Sequence, residues 1–527
     1  MNYGEVGVLL MNIKIKTQKN TYYDSVTLMR ISKELKSLEG VEEVLVGMAT
    51  DLNKELARNL GLSNETIEGL TVNDFFVTVK CTNEELFEIL LKKLEELLSK
   101  KDDETEEYSP ATLESTLKNV PDLNIAIISV PGQYAFAETK KALDNNLHVL
   151  LFSDNVSVKD EKTLKEIAKE KGLLMMGPDC GTAIINQVPL AFANVVKKGS
   201  IGIVGASGTG IQEASVLIDK FGGGVSQAIG TGGRDLSLDI GGIMMIEGIK
   251  ALEQDEKTEV VLLISKPPAP EIAEKVLKTA KDSGKPFVVI FIGGDIEVIE
   301  KYGGVPALTL EDAAIKAVQL TNIKMKTPEI IEEGRDSLIK MLAKNLNKDQ
   351  KYIRGLYTGG TLCDEAMIML SKTIGDIYSN IPLKPHLKLM DPIESKENSC
   401  IDLGDDTFTV GRAHPMIDPA TRQERLIKEA EDTEVAVYLM DFVLGYGSHH
   451  DPAGEMIASI EKAREIMRQK GYEAVYIASV SGTEADPQNL KEQERKLMEA
   501  GVVVMASNAR AVGLAADLIM YHRKGRE

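Results

Sequence analysis

The chain carries several clusters whose residue types and spacing suit chemistry. The first runs Lys198-Gly199-Ser200-Ile201-Gly202-Ile203-Val204-Gly205-Ala206-Ser207-Gly208-Thr209-Gly210 into Ile211-Gln212-Glu213-Ala214. An alternating apolar run stops at small residues and a helical pattern begins, which reads as strand, Gly-rich turn and helix. A helix N-terminus carries free N–H groups and about half a positive charge, so it favours an anion. Ser207, Gly208, Thr209 and Gly210 then form a phosphate cradle, with the two hydroxyls as further donors. The same residues also fit a tight turn with Ser207 or Thr209 as N-cap. A second cluster, Gly232-Gly233-Arg234-Asp235, follows another strand. Arg234 there can grip phosphate or carboxylate as a bidentate fork, or pair with Asp235 or Asp239. Ser481-Gly482-Thr483, with Asp486 nearby, has the look of another anion-binding turn.

Arg412-Ala413-His414-Pro415, with Asp418 close behind, places an imidazole beside a cation and a carboxylate. That trio suits acid–base work, or a hydrogen-bonded loop. His449-His450-Asp451 offers metal-ligand types, but adjacent histidines point apart and spacing fixes no third ligand, so no metal is assigned. The four cysteines, Cys81, Cys180, Cys363 and Cys400, are far apart and form no C-x-x-C pair, which argues against a zinc knuckle or a disulfide framework. Cys180 lies in Gly177-Pro178-Asp179-Cys180, where Pro178, Asp179 and Cys180 can touch a ligand or simply make a turn. Nothing beside Cys180 would lower its pKa for nucleophilic attack.

These clusters need scaffolding, and 527 residues with 43% hydrophobic content supply several cores. Net charge is −20 and Trp is absent, so nucleic acid and aromatic-rich ligand platforms are disfavoured. No apolar run reaches membrane-spanning length and the N-terminus shows no signal-peptide pattern, so a cytoplasmic protein without a membrane partner is expected. Residues 1–100 read as a small α+β module, regulatory or interacting, with strands at Val41–Met48 and Asp74–Lys80 and a helix over Asn83–Ser99 capped by Asn83. The charged run Lys100–Ser109 before Pro110 reads as a linker.

From residue 110 strands and helices alternate, which implies parallel sheets with ligands outside the strand C-termini. In residues 110–195, Asn124–Val130 reads as a buried strand, followed by strands at His148–Ser153 and Leu173–Met176. Pro131-Gly132, Ser153-Asp154-Asn155 and Gly177–Thr182 fall at their ends, as candidates for holding CoA or substrate. Residues 196–325 and 350–515 repeat the pattern. In the last of these, strands at Tyr352–Tyr357, Val435–Met440, Val475–Ser479 and Val502–Ala506 all end in small or polar residues on one rim. Residues 322–349 form a connection.

The phrases Met176–Val195, Ile201–Gln212, Gly230–Asp235, Ile401–Pro419 and Ser479–Gln488 together resemble the succinyl-CoA synthetase α-subunit superfamily, and within it the FdrA-like branch, over roughly residues 1–515. The resemblance implies a small N-terminal domain, a Rossmann-like CoA-binding-type domain over 110–195, and flavodoxin-like ligase-type domains over 196–325 and 350–515. It also implies acyl-CoA synthetase chemistry, which in the ligases passes phosphate through a histidine. Here residues 285–310 contain no histidine, and Ser265-Lys266-Pro267-Pro268 stands where the ligases place a glutamate. A phosphohistidine relay needs that imidazole. The ligases' nucleotide loop and an ATP-grasp domain have no counterpart in the sequence. The FdrA-like branch is linked with oxamate carbamoyltransferase in allantoin use, which implies companion subunits, an oligomer, and phosphate or carbamoyl phosphate as substrate. No cofactor is demanded, while CoA remains admissible. On that reading Arg234, Arg412 and His414 are the catalytic candidates. CoA-dependent ligation with a partner, and a non-catalytic assembly subunit, stand as alternatives.

Overall fold

The computed structural model describes residues 12–99, apart from residues 20, 22, 24, 37, 39, 82 and 83, together with residues 112–326, 334–409 and 412–525. The charged run 100–109, the Asn83 cap and Gly411 lie outside the described residues. The chain divides into two compact units.

The first unit holds residues 12–99 with the stretch 409–413. Strands β1 (Asn12–Gln18), β2 (Val41–Met48) and β3 (Phe75–Cys81) form an antiparallel sheet in the order β1-β3-β2. The helices Ser25–Lys36 and Glu84–Ser99 share a core with it through Leu28, Ile31, Leu35, Phe75, Val77, Leu90 and Leu94. Apolar residues at helical spacing make those faces continuous.

The second unit, residues 111–408 and 414–527, carries three sheets. Strands β4 (Ile125–Ile128), β5 (His148–Leu151) and β6 (Met175–Met176) are parallel in the order 4-5-6. The expected burial of the first strand does not hold: β4 lies at the sheet's edge, and Ile127 is 54% exposed. A hairpin absent from the sequence reading, β7 (Thr182–Ile185) and β8 (Val188–Ala191), joins the next sheet through an antiparallel pairing of Ile184 with Ala228. That sheet continues with β9 (Lys198–Gly205), β10 (Val225–Gly230), β11 (Val260–Ser265), β12 (Phe287–Phe291) and β13 (Val305–Pro306). Its order is β13-β12-β11-β9-β10-β7-β8. The third sheet is parallel throughout, in the order β15-β14-β16-β17-β18. Its strands are β14 (Tyr352–Tyr357), β15 (Ser399–Asp402), β16 (Val435–Val443), β17 (Val475–Ser481) and β18 (Val503–Met505). β16 and β17 run further than their apolar stretches predict, so Asp441 and Ser481 are strand residues and not loop residues.

The helices Gly208–Lys220, Leu310–Gln319, Gly360–Ile374 and Asn508–Lys524 lie between the second and third sheets. Ala214, Leu217, Ala314, Ala317, Leu362, Ala366, Ala511 and Ala515 belong to one buried cluster spanning both sheets. The many alanines let helix axes approach closely, so the two ligase-type sheets share a core. Among the described residues no helix is long and apolar enough to cross a membrane.

Candidate functional site

Strand β9 ends at Gly205, and Ser207 caps the helix Gly208–Lys220 by accepting the Gly210 N–H at 2.9 Å. Strand β14 ends at Tyr357, and the helix Gly360–Ile374 starts after Gly359. These two helix N-termini meet. The Ser207 and Thr361 hydroxyls hydrogen-bond to each other. A Cβ on Gly359 would lie 2.3 Å from Thr209 Cγ2, so only glycine permits the approach. The first-turn N–H groups of each helix have no carbonyl of their own helix to bond, and both ends carry partial positive charge.

Three further side chains crowd this rim. Lys266, just past β11, is about half exposed and pairs with Asp364 at 2.7 Å. Burial would pull its ammonium down, but Asp364 and Asp402 outweigh that and hold it above the ordinary lysine value. Asp402, the last residue of β15, is buried, and its carboxyl is pushed up to about 7 by loss of solvent. A Cβ on Gly360 would sit 2.8 Å from Asp402 Oδ2 and 3.6 Å from Lys266 Nζ. A Cβ on Gly404 would sit 2.6 Å from His414 Nε2, 2.8 Å from the Thr358 carbonyl oxygen and 3.2 Å from Asp402 Oδ1. His414 Nδ1 accepts the Met416 N–H at 3.2 Å, so its proton is assigned to Nε2. Burial pushes the imidazole down to about 4, leaving it neutral near pH 7. Behind the rim Asp441 anchors the turn, accepting the Thr358 N–H and hydroxyl at 2.8 Å each and a hydrogen bond from Arg422.

A second cleft of about 180 Å³ gathers Asn155, Pro178, Asp179, Gly233 and Arg234, all expected from sequence, with Asp154 and Asp406. Arg234 Nη2 is held by Glu161 at 2.9 Å and donates to the Val156 carbonyl at 2.8 Å; Asp235 and Asp239 are not its partners. Below it Lys165, fully buried, bonds Glu161 and Asp235 at 2.8 Å each and the Thr231 carbonyl at 2.9 Å. Burial, with Asp154 and Asp406 nearby, pushes the Asp179 carboxyl up to about 6.

Other expected site residues have structural work. Gly232 takes φ +84°, and a Cβ there would lie 2.4 Å from the Pro178 carbonyl oxygen, so the turn needs glycine. Ser153 accepts the Val130 N–H at 3.0 Å. Pro131 precedes the helix Gly132–Asp144, and a Cβ on Gly132 would lie 2.4 Å from the Asp154 carbonyl oxygen. Cys180 is buried, and loss of solvent pushes its thiol up to about 12, which removes it as a nucleophile. The Ser481-Gly482-Thr483 turn is filled from within. Ser481 donates to Glu213, the Thr483 N–H donates to Asp486 at 2.7 Å, and Thr483 Oγ1 donates to the Val195 carbonyl. A Cβ on Gly482 would strike the Leu444 side chain. The anion at that turn is therefore Asp486. Arg412 is exposed and groups with the first unit, whereas His414 belongs to the second. His449 and His450 lie with ring centroids 4.3 Å apart, and among the described residues no group of three or more His, Cys, Asp or Glu is placed to hold a metal.

Paired ligase-type sheets with opposed helix N-termini define the class: an acyl-CoA synthetase-like fold. Three family models match. "AllF, heavy metal-associated domain" covers residues 11–113, "CoA binding domain" covers 196–293 and "CoA-ligase" covers 356–518. YahF of Escherichia coli strain K12 is 48% identical over 98% of this chain and all of that protein. The chain belongs with YahF to the FdrA-like family related to the succinyl-CoA synthetase α subunit. The succinate–CoA ligase [ADP-forming] α subunit of Staphylococcus epidermidis is 28% identical over 34% of this chain and 58% of its own. That of Aquifex aeolicus is 29% identical over 32% and 56%. The chain thus spans little over half the length of these ligase subunits. A dinucleotide-forming acetyl-coenzyme A synthetase from Ca. Korarchaeum cryptofilum overlays with a TM-score of 0.30 at 14% identity, covering 78% of this chain and 85% of that one, too loosely to carry an argument.

The matched models imply two groups that the residues can be tested against. A heavy metal is not suited by residues 11–113, whose single cysteine, Cys81, is buried. CoA carries a diphosphate, and the Arg234 cleft faces it with Asp154, Asp179 and Asp406 against one guanidinium already engaged by Glu161. Like charges at that range repel, so the cleft does not fit the polyanionic end of CoA.

Proposed function

We propose that the chain is a subunit of an oxamate carbamoyltransferase-type enzyme that exchanges a carbamoyl group between oxamate nitrogen and phosphate. The observation that carries this reading is the meeting of the Ser207 and Gly359 helix N-termini beside Lys266. Each end contributes about half a positive charge, which together with the hydroxyls of Ser207 and Thr361 suits a phosphate or carbamoyl phosphate dianion. The same donors suit the oxyanion that forms when phosphate adds to a carbamoyl carbon. Residues 285–310 offer no histidine to carry a phosphoryl group, so the anion at this site is substrate and not a protein-bound intermediate. His414, neutral and donating from Nε2, and Lys266 are placed to orient it.

Purified chain with its companion subunits is expected to form carbamoyl phosphate from carbamoylated oxamate and phosphate. The Ser207→Ala, Thr361→Val double variant is expected to weaken phosphate binding by tenfold or more, since hydrogen bonds to charged groups contribute about 1.5–3 kcal/mol each. Absence of turnover with every companion present overturns the reading. Full complex activity in the double variant favours an assembly role instead.

The CoA-ligase and CoA-binding matches favour a second reading, CoA-dependent ligation with a partner that supplies nucleotide activation. Titration calorimetry with CoA decides it: saturable binding supports ligation, and none removes it.

A further inference from the structure

Asp402 is only 7% exposed, and its two carboxylate oxygens are treated differently. Oδ1 accepts the Gly404 N–H at 2.9 Å. No hydrogen-bond donor among the described residues reaches Oδ2, which faces the N-terminus of the Gly360 helix at the anion site. That oxygen is open to a proton or a ligand at the Gly360 helix end, and nothing else in the site gives it a task. The main chain holds it firmly in place. Asn380 Oδ1 accepts the Asp402 N–H and Asn380 Nδ2 donates to the Asp402 carbonyl, both at 3.0 Å.

Given the carbamoyl-transfer reading, on which this rests, we propose that Asp402 is the catalytic group that moves the proton. Its carboxylate takes the proton from the phosphate oxygen as that oxygen attacks the carbamoyl carbon. A bond forms between the carbamoyl carbon and the phosphate oxygen, the bond from the carbamoyl carbon to the amide nitrogen breaks, and Asp402 hands the proton to that nitrogen. Carbamoyl phosphate and oxamate leave, charge and hydrogen are conserved, and no oxidant or further reactant enters.

Its neighbours leave this task to Asp402. Lys266 is tied to Asp364 and held in its ammonium form. His414 already carries its proton on Nε2, and burial keeps the ring from taking a second. Asp405, Asp364 and Lys266 are the charged groups that face Asp402, and Cys363 lies near. A carboxyl poised at about 7 can both accept and return a proton at neutral pH.

The test uses the full chain with its companions, comparing wild type, Asp402→Asn and Asp402→Glu, with kcat and the KM for phosphate measured from pH 5.5 to 8.5 (a range of about 1.5 units either side of neutrality). Asp402→Asn is expected to lower kcat by about 100-fold or more, to change KM for phosphate by less than about threefold, and to lose the acid limb that wild type shows. Asp402→Glu is expected to regain part of kcat with a displaced limb. Phosphate titrates nearby itself, so the contrast between wild type and Asp402→Asn is the readout. Calorimetric phosphate binding by Asp402→Asn shows that the variant is folded. Wild-type turnover with kcat retained in Asp402→Asn overturns this inference and leaves the carbamoyl-transfer reading standing. No wild-type turnover overturns both.

Discussion

Gly359→Ala tests whether the opposed helix ends act as one site. The added Cβ would lie 2.3 Å from Thr209 Cγ2, 2.7 Å from its Oγ1 and 2.8 Å from its Cβ. Carbon atoms rest about 3.5–4.0 Å apart, so one helix end must withdraw by roughly 1.2–1.7 Å. Neither is free to do so. Thr358 is pinned by Asp441, and Ser207 is joined to Thr361. Overpacking of this kind costs about 1–3 kcal/mol. Moving one helix end off the anion removes a dipole contribution of about 1–2 kcal/mol in a partly buried setting, a five- to thirty-fold loss of phosphate affinity. Calorimetry of phosphate binding and urea unfolding followed by circular dichroism read the two effects. Thr209→Gly clears every contacting atom, so the double variant is expected to be better than the sum of the singles. Gly359→Ala with wild-type phosphate affinity and an unmoved unfolding midpoint would refute the reasoning, and additive singles would show that the helix ends do not communicate through this contact.

Two further predictions concern buried charge. Lys165→Met removes the cation shared by Glu161, Asp235 and the Thr231 carbonyl. Breaking a buried ion pair from one side costs about 3–5 kcal/mol, so the urea midpoint is expected to fall, with wild-type stability counting against the assigned network. Burial pushes the Glu365 carboxyl up to about 7 from an ordinary 4.5. A carboxyl whose folded-state pKa is raised contributes stability that is complete below pH 4.5 and lost as pH rises through about 7. Unfolding free energy is therefore expected to decline over that window by an amount on the order of 3 kcal/mol from this group. Glu365→Gln is expected to flatten the decline, and an unchanged slope would contradict the assignment.

Much of the scaffold was legible because apolar runs and their stopping points carry local physics. Tyr352–Tyr357 and Val41–Met48 match their strands to the residue. Ser207 stands as the N-cap that its small, hydroxyl-bearing neighbourhood suggests. What escaped was long-range. Nothing local in Thr358-Gly359-Gly360-Thr361 says that its helix will abut Thr209, some 150 residues earlier in the chain (the Ser207–Thr361 bond alone spans 154). Asp402 ends a four-residue strand inside a run rich in polar residues, so periodicity gives it no weight. Lys266 departs from the ligase pattern already in the sequence, but its meeting with Asp364 depends on the second sheet packing on the third. Ser481-Gly482-Thr483 has the composition of an anion-binding turn because the same small, hydroxyl-bearing residues serve any carboxylate, including the chain's own Asp486.

The capping network around the last helix also sets a clock for synthesis. Glu213, early in the Ser207 helix, accepts the N–H of Asn508, which is made 295 residues later. Asn508 also donates to Glu365 and to the Leu362 carbonyl. At about 5–20 residues per second, a nascent chain waits roughly 15–60 s between emitting the carboxylate and emitting its donor. Through that interval the anion-binding helix cannot be locked in its final surroundings. The ligase-type half therefore closes only after Asn508 has been made, and a product truncated before Asn508 leaves two buried carboxylates without the donor that this residue supplies.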